Sequence, residues 1–211
     1  RTPGLSDEGV RDQVMTMIVA GHDTIAALLS WAVYVLSQRA DVQAQARAEA
    51  FAVLGSSPPD MTTLGKLTYL GCVIDETLRL YPPAHLGNRR VVETTAFNGY
   101  TFEAGERLGY SIYLSHRHRD VWEDAEEFKP ERFLRGHEAF AFVPFGGGER
   151  TCIGMNYALY EAKVVLARIL QQVELLPVAG EVRQSMMVTL QPRTRGGGAF
   201  VRVKCNREMM R

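Results

Sequence analysis

The sequence predicts a mainly helical protein with a small β part. Three observations support this prediction. Apolar residues recur three and four positions apart over long segments near both ends of the chain. Glycine and proline residues separate these segments from short, strand-like ones between them, and no internal repeat is evident. With 211 residues, of which 46% are hydrophobic, the chain can bury a sizeable core in one or two domains.

The first helix is predicted to start at Ser6, because a serine cap is followed by two acidic residues, and to run to about Arg39. Its middle, Val14 to Leu36, is long and apolar enough to cross a membrane. The polar segment His22–Thr24 interrupts that stretch at its centre, where an aspartate costs about 2.5–3.5 kcal/mol in lipid. We therefore expect a core helix with a polar notch, and no membrane segment in this chain.

Further helices are expected where apolar periodicity is bounded by glycine or proline, at Val42–Leu54, Leu67–Leu80 and Ala158–Leu170. Short strands are expected beside glycine turns, at Tyr100–Phe102 and Leu108–Ile112. The tail predicts a small hairpin, with strands near Met187–Leu190 and Phe200–Val203 on either side of a run of three glycines. The segment Trp122–Leu134 is charged and irregular.

Composition excludes several classes of function. Lys+Arg and Asp+Glu are balanced at 24 each, so nothing indicates a nucleic-acid partner. The three cysteines are odd in number and widely spaced, which argues against a disulfide framework and favours a reducing compartment. No cluster of cysteine and histidine has the spacing of a zinc site. We therefore expect a cytoplasmic or cytoplasm-facing protein.

The segment Phe145–Gly154 joins a lone cysteine to a glycine-rich loop, with a helix just downstream. Glycines let backbone N–H groups approach a sulfur closely, and the positive end of a helix favours a thiolate. A single cysteine in such a loop is by itself an ordinary thiol. The spacing Phe-x-x-Gly-x-Arg-x-Cys-x-Gly, however, fixes five residue types over ten positions, and all five are present.

This loop resembles the haem-binding loop of the cytochrome P-450 family. The resemblance implies that Cys152 is the proximal thiolate ligand of the iron of haem b. It places Phe145 beside the sulfur, Gly154 within the loop, and Arg150 on a haem propionate. Arg89 matches a second propionate position, with Arg90 as its close rival. The alternative for each arginine is a surface position, and for Phe145 it is ordinary core packing.

Two further motifs precede the loop in family order. Glu76 and Arg79 lie on one helix face, which in isolation indicates only a solvated pair. Upstream of Pro130-Glu131-Arg132-Phe133 they resemble the family's Glu-x-x-Arg helix and its meander. The resemblance implies that Glu76, Arg79 and Arg132 form a buried charge network with a structural role on the proximal side.

The polar notch Ala20-Gly21-His22-Asp23-Thr24 resembles the family segment over the distal haem face. It implies that Gly21 opens a groove, that Thr24 hydrogen-bonds the dioxygen being activated, and that Asp23 relays protons. The alternative is a mid-helix threonine bonded to the carbonyl four residues earlier. Ile25 departs from the family's frequent second hydroxyl residue.

Other residues receive weaker roles. His22 is predicted to be a helix-face residue, and His116 and His118 are predicted to be loop hydrogen-bonders instead of a His-x-His metal site. Substrate-facing candidates implied by the resemblance are Ala20, Thr24, Ala84–Leu86 and the tip Pro192–Gly198, which together indicate a mostly apolar pocket.

The resemblance implies that residues 1–211 are the C-terminal part of a single haem-thiolate monooxygenase domain, its N-terminal part lying outside this chain. Such an enzyme inserts one atom of dioxygen into a small organic substrate, with electrons from a reductase or ferredoxin. Two alternatives stay open: a non-catalytic helical remnant that never loads haem, and a haem-thiolate isomerase or peroxygenase.

Overall fold

A computed structural model describes residues 4–177, 180–198 and 201–205. Six α-helices lie within these ranges: α1 Asp7–Gln38, α2 Ala40–Leu54, α3 Met61–Leu64, α4 Thr68–Leu80, α5 Ile112–Ser115 and α6 Met155–Gln172. Nine short strands accompany them: β1 Leu86–Arg90, β2 Thr95–Phe97, β3 Tyr100–Phe102, β4 Arg107–Ser111, β5 Val173–Leu176, β6 Arg183–Met186, β7 Leu190–Thr194, β8 Gly197–Gly198 and β9 Arg202–Cys205. The predicted mainly helical fold with a small β part is confirmed.

The predicted helix boundaries are close to the observed ones because local signals set them. Ser6 caps α1 by accepting a hydrogen bond from the Gly9 amide. Gly55 ends α2 with a φ of 59°, which only glycine adopts readily. Proline after Tyr81 ends α4.

The hydrophobic core lies where four helices meet: the C-terminal half of α1, with α2, α4 and α6. Trp31 is 1% exposed, stacks on Tyr81 at 4.0 Å between ring centroids, and donates its indole N–H to the Leu190 carbonyl at 2.9 Å. This contact ties the central helix to the end of α4 and to β7. The N-terminal half of α1 is exposed instead, including Val14 and Ile18.

Helix α1 is, within the described residues, the one helix long and apolar enough to cross a membrane by length and composition. The buried helix of a soluble protein meets the same criteria. Its C-terminal half packs in the core as predicted, whereas Val14 and Ile18 of its N-terminal half are exposed, so the prediction of a core helix holds for only half of α1.

The β part consists of four small antiparallel sheets: β1 with β4, β2 with β3, β5 with β9, and β6-β7-β8. The tail departs from the prediction. Met187 to Thr189 form the turn between β6 and β7, where the Val188 side chain is 87% exposed, so a strand there was wrong. Strand β9 pairs with β5 and not across the glycine run. Phe200 lies outside the described residues.

Candidate functional site

The loop Phe145–Gly154 is closed by its own backbone. The Cys152 amide donates to the Phe145 carbonyl at 2.9 Å, and the Gly146 amide donates to the Val143 carbonyl at 3.0 Å. Gly146 and Gly148 have φ values of 74° and 68°, a region in which a side chain is strained. These two glycines therefore allow the sharp path that the chain takes toward Cys152.

The Cys152 thiol is exposed and lies just before α6, whose N-cap is Gly154. A Cβ at Gly154 would stand 3.8 Å from the sulfur, so glycine leaves that side of the thiol open. Cys72 differs, since its thiol is buried and desolvation raises its pKa. Accessibility and a helix N-terminus therefore favour Cys152 as the thiolate ligand.

The donor set fits a metal held mainly by a macrocycle. Among the described residues no group of three or more histidine, cysteine or acidic side chains could hold a metal ion. One exposed thiol can supply a sulfur ligand to such a metal, and the exposed Arg150 beside it can supply a cation for a carboxylate. The chemistry of these residues matches haem better than it matches a protein-only metal site.

A buried charge network joins α4 to the meander that precedes the cysteine loop. Arg79 and Glu76 are both fully buried and paired through two hydrogen bonds, Nε to Oε2 at 2.7 Å and Nη2 to Oε1 at 2.9 Å. Arg132 adds a third, from Nε to Glu76 Oε1 at 3.1 Å. The predicted Glu76–Arg79–Arg132 network is therefore present.

The network also binds the backbone of the segments that surround it. Arg79 donates to the carbonyls of His116 at 2.8 Å, Ala125 at 2.7 Å and Glu127 at 3.0 Å. The Lys129 amide donates to Glu76 Oε1 at 2.8 Å. Because each charge has several partners, the cost of burying it is offset, and the irregular meander is fixed to α4.

His116 is a histidine of the protein interior. Its side chain is fully buried, and its Nε2 accepts a hydrogen bond from the Val143 amide at 2.9 Å. Desolvation lowers its pKa to about 4, so the ring is neutral at physiological pH. The prediction that His116 bonds within a loop is confirmed. His118 is exposed and lies 3.9 Å from an Asp120 carboxylate oxygen.

The polar notch of α1 is more open. The Thr24 hydroxyl donates to the Ala20 carbonyl at 2.7 Å, and His22 Nδ1 lies 2.9 Å from Asp23 Oδ1. A Cβ at Gly21 would meet no atom within 4 Å. Thr24 therefore makes the i−4 bond given above as the alternative, which still leaves its oxygen lone pairs free to accept hydrogen bonds.

Comparison with known proteins gives a consistent result. The family model "Cytochrome P450" matches residues 1–195. This chain belongs to the cytochrome P450 family. A crystal structure of a cytochrome P450 (CYP102L1) superposes with a TM-score of 0.87 at 36% identity, covering 96% of this chain and 46% of that one. The fold is thus that of a cytochrome P450.

Cytochrome P450 relatives come from distant organisms. Mouse cytochrome P450 4V2 is 40% identical over 80% of this chain and 33% of its own length. The Bacillus subtilis bifunctional cytochrome P450/NADPH–P450 reductase 2 is 38% identical over 89% of this chain and 18% of its own length. The chain thus spans about a third or less of these two relatives, and family membership implies a haem cofactor.

The remaining predicted P450 site residues lie apart from the cysteine loop in sequence and on exposed surfaces. Arg89 in β1 donates to the Asn88 carbonyl at 2.9 Å and lies over the Tyr110 ring at 5.5 Å from its centroid. Arg90, its rival, is also exposed. The role of either as a propionate ligand stays a prediction.

The substrate-facing candidates fall into separate places. Ala84 and Leu86 are exposed at the start of β1, whereas Pro192 and Gly198 line a cavity of about 450 Å³ against α1. That cavity contacts Ser30 and not Thr24, so the tip lies on α1 beyond the polar notch. A substrate role for either group stays a prediction.

Sequence reasoning missed two residues that hold the P450 scaffold. Glu49 of α2 accepts the Tyr69 and Leu70 amides at the start of α4, at 2.7 and 2.9 Å. Arg47 of α2 donates to the Leu170 carbonyl at the end of α6 at 2.9 Å. The only signal in the sequence was two charged residues, Arg47 and Glu49, on a partly buried helix. That signal does not identify their partners, which lie far away in sequence.

Proposed function

We propose that residues 1–211 are the C-terminal part of one haem-thiolate monooxygenase domain, with Cys152 as the axial ligand of haem b. The observation that carries the proposal is the exposed Cys152 thiol in a glycine-shaped loop at the start of α6. The buried Glu76–Arg79 pair supports it, because this costly charge network fixes the meander that leads to that loop.

Each residue near the thiol then has a defined task. The positive end of α6 and the glycine-lined approach stabilise the Cys152 thiolate. Arg150, two residues away, would pair with one haem propionate, and Arg89, elsewhere in the chain, would pair with the other. Phe145, half-buried against the core, would pack beside the sulfur. Haem bound there supplies the chemistry that inserts one atom of dioxygen into an apolar organic substrate.

On the opposite side, α1 handles protons. Because the Thr24 proton is engaged by the Ala20 carbonyl, the Thr24 oxygen accepts a hydrogen bond from whatever lies in the groove. Asp23, about half exposed and beside His22, exchanges protons with water. Gly21 adds no side chain to the open space beside it, where a Cβ would meet no atom within 4 Å, and that space would form part of the groove.

Two electrons per turnover come from a separate reductase, a ferredoxin, or a fused reductase. The Bacillus subtilis relative joins the two functions by name, which supports a reductase as donor. We also propose a cytoplasmic or cytoplasm-facing location, because all three cysteines are free.

The decisive experiment is the absorption spectrum of the reduced, carbon-monoxide-bound protein expressed at full length. A red-shifted Soret band is expected, and Cys152→Ala and Cys152→His should each remove it. The matched control is Cys72→Ala, which should leave the band in place. A folded protein without the band would overturn haem-thiolate ligation and favour a helical remnant.

A second measurement tests the distal residues. Thr24→Ala should lower the ratio of product formed to electron donor consumed, whereas Thr24→Ser keeps the hydroxyl and should preserve the ratio. If Thr24→Ala and Thr24→Ser formed the same amount of product per electron donor consumed, the Thr24 hydroxyl would have no part in the mechanism. Turnover with peroxide but never with an electron donor would identify a peroxygenase instead.

A further inference from the structure

His116 lies where the buried charge network meets the segment that leads to the cysteine loop. Its carbonyl accepts a hydrogen bond from Arg79 Nη1 at 2.8 Å. Its imidazole Nε2 accepts one from the Val143 amide at 2.9 Å. One residue therefore bonds to the network through its backbone and to the loop segment through its side chain.

The bonds continue from Val143 to the thiol. The Val143 carbonyl accepts from the Gly146 amide at 3.0 Å, and Gly146 has a φ of 74°. The Phe145 carbonyl then accepts from the Cys152 amide at 2.9 Å. A displacement of Val143 would therefore move the turn that sets the position of Cys152.

The surroundings of the ring favour an uncharged acceptor. Phe142 lies 5.2 Å from the imidazole centroid, and the cations of Arg79 and Arg117 lie near it. His116 Nδ1 makes no hydrogen bond within the described residues. Desolvation, more than the two nearby positive charges, disfavours protonation of the ring, so Nε2 keeps its lone pair for the Val143 amide.

We infer that His116 is a positioning residue for the thiolate ligand, acting through Val143 to hold the Cys152 loop in register with the buried charge network. This inference rests on the proposed function, since it gives Cys152 the role of ligand. The hydrogen bonds that His116 makes among the described residues go to Arg79 and Val143 and not to Cys152, so its contribution is geometric.

The test uses two variants of His116 whose side-chain amides take the positions of different ring nitrogens. His116→Gln can place its side-chain oxygen near the position of Nε2 and accept the Val143 amide, whereas His116→Asn is shorter and reaches only the position of Nδ1. Both are neutral and polar, so they differ mainly in whether the bond to Val143 survives. The full-length, haem-loaded protein is used throughout.

Two readouts are measured. The first is hydrogen exchange at the Val143 amide, which should be about tenfold faster in the Asn variant and near wild type in the Gln variant. The second is the Soret band of the reduced, carbon-monoxide-bound form. The Asn variant should have a smaller share of the red-shifted, thiolate-ligated band, and the Gln variant should restore it.

Each result supports or overturns the inference. Wild-type protein that shows the thiolate band, with both variants retaining it equally, overturns the positioning role alone. Unchanged Val143 exchange in the Asn variant overturns it as well. Wild-type protein without the band overturns the proposed function and this inference with it.

Discussion

The two sides of the proposed haem site are built differently. On the proximal side, Glu76 and Arg79 are fully buried and bonded to several segments of the chain. On the distal side, the hydrogen bonds that His22, Asp23 and Thr24 make among the described residues stay within their own helix, whose N-terminal half is exposed. The difference indicates that the proximal network is held by several segments of this chain, whereas the residues proposed to handle oxygen lie on a surface open for further contacts.

The strongest way to break this contrast is to remove one member of the buried pair. Glu76→Gln should lower the free energy of unfolding by about 3–5 kcal/mol, because Arg79 would be left buried without its counter-charge. Urea denaturation measures this. The control Glu8→Gln breaks an exposed pair with Arg11 and should change stability by less than about 0.5 kcal/mol. Similar losses in both variants would contradict the contrast.

The same contrast runs along a single helix. Leu36 is 0% exposed and Ile18 is 58% exposed, although both belong to α1. Leu36→Ala should cost about 2–5 kcal/mol, and Ile18→Ala no more than about 0.5 kcal/mol. Thermal unfolding of this chain compares them. A large loss at Ile18 would mean that the N-terminal half of α1 is covered.

Two titrating groups, His116 and Asp75, should have opposite effects on the pH dependence of stability. Desolvation lowers the pKa of His116 to about 4, so the unfolded chain binds more protons below pH 6.5 and stability falls as the pH drops toward 4. Desolvation raises the pKa of Asp75 to about 6, so the folded chain binds more protons and stability falls as the pH rises from 4 to 6.

Single variants separate these two effects. In urea denaturation between pH 4 and 6.5, Asp75→Asn should make stability rise more steeply with pH, and His116→Gln should flatten or reverse that rise. The His116 contribution is at most roughly 3 kcal/mol over this window. Parallel pH profiles for wild type and both variants would contradict the burial of these groups.

The smallest expected effect concerns Gly21, on the distal side. Gly21→Ala should stabilise the chain by up to about 1 kcal/mol, because alanine is the better helix former and its Cβ meets no atom within 4 Å. The same change should reduce product formation by the full-length protein if the groove must stay open. Gly9→Ala in the same helix is the control and should leave turnover unchanged.

Much of the fold was predictable because its signals are local. A serine cap, a glycine of positive φ and a proline stop define the ends of α1, α2 and α4. The cysteine loop was predictable because its spacing is specific. The turn at Met187–Thr189 was not, since its apolar residues read as a strand while tertiary pairing makes them a connection.

The proximal residues were predictable only as a set in family order. Nothing in the sequence near His116 indicates that its ring reaches Val143, 27 positions away. Likewise, Glu49 bonds amides about 20 positions away at the start of α4. Such pairings depend on how helices pack, and a pattern along one element does not contain that information.

Two side chains of α2 bind the ends of two other helices, the start of α4 and the end of α6. Glu49 occupies the free amides that begin α4, and Arg47 occupies the free carbonyls that end α6. Since α4 carries Glu76 and Arg79 while α6 follows Cys152, these two side chains tie the helix of the charge network to the helix behind the cysteine loop. A slide of either helix along its axis would break these bonds and leave backbone groups without partners. The relative position of the two helices thus depends in part on the side chains of a third.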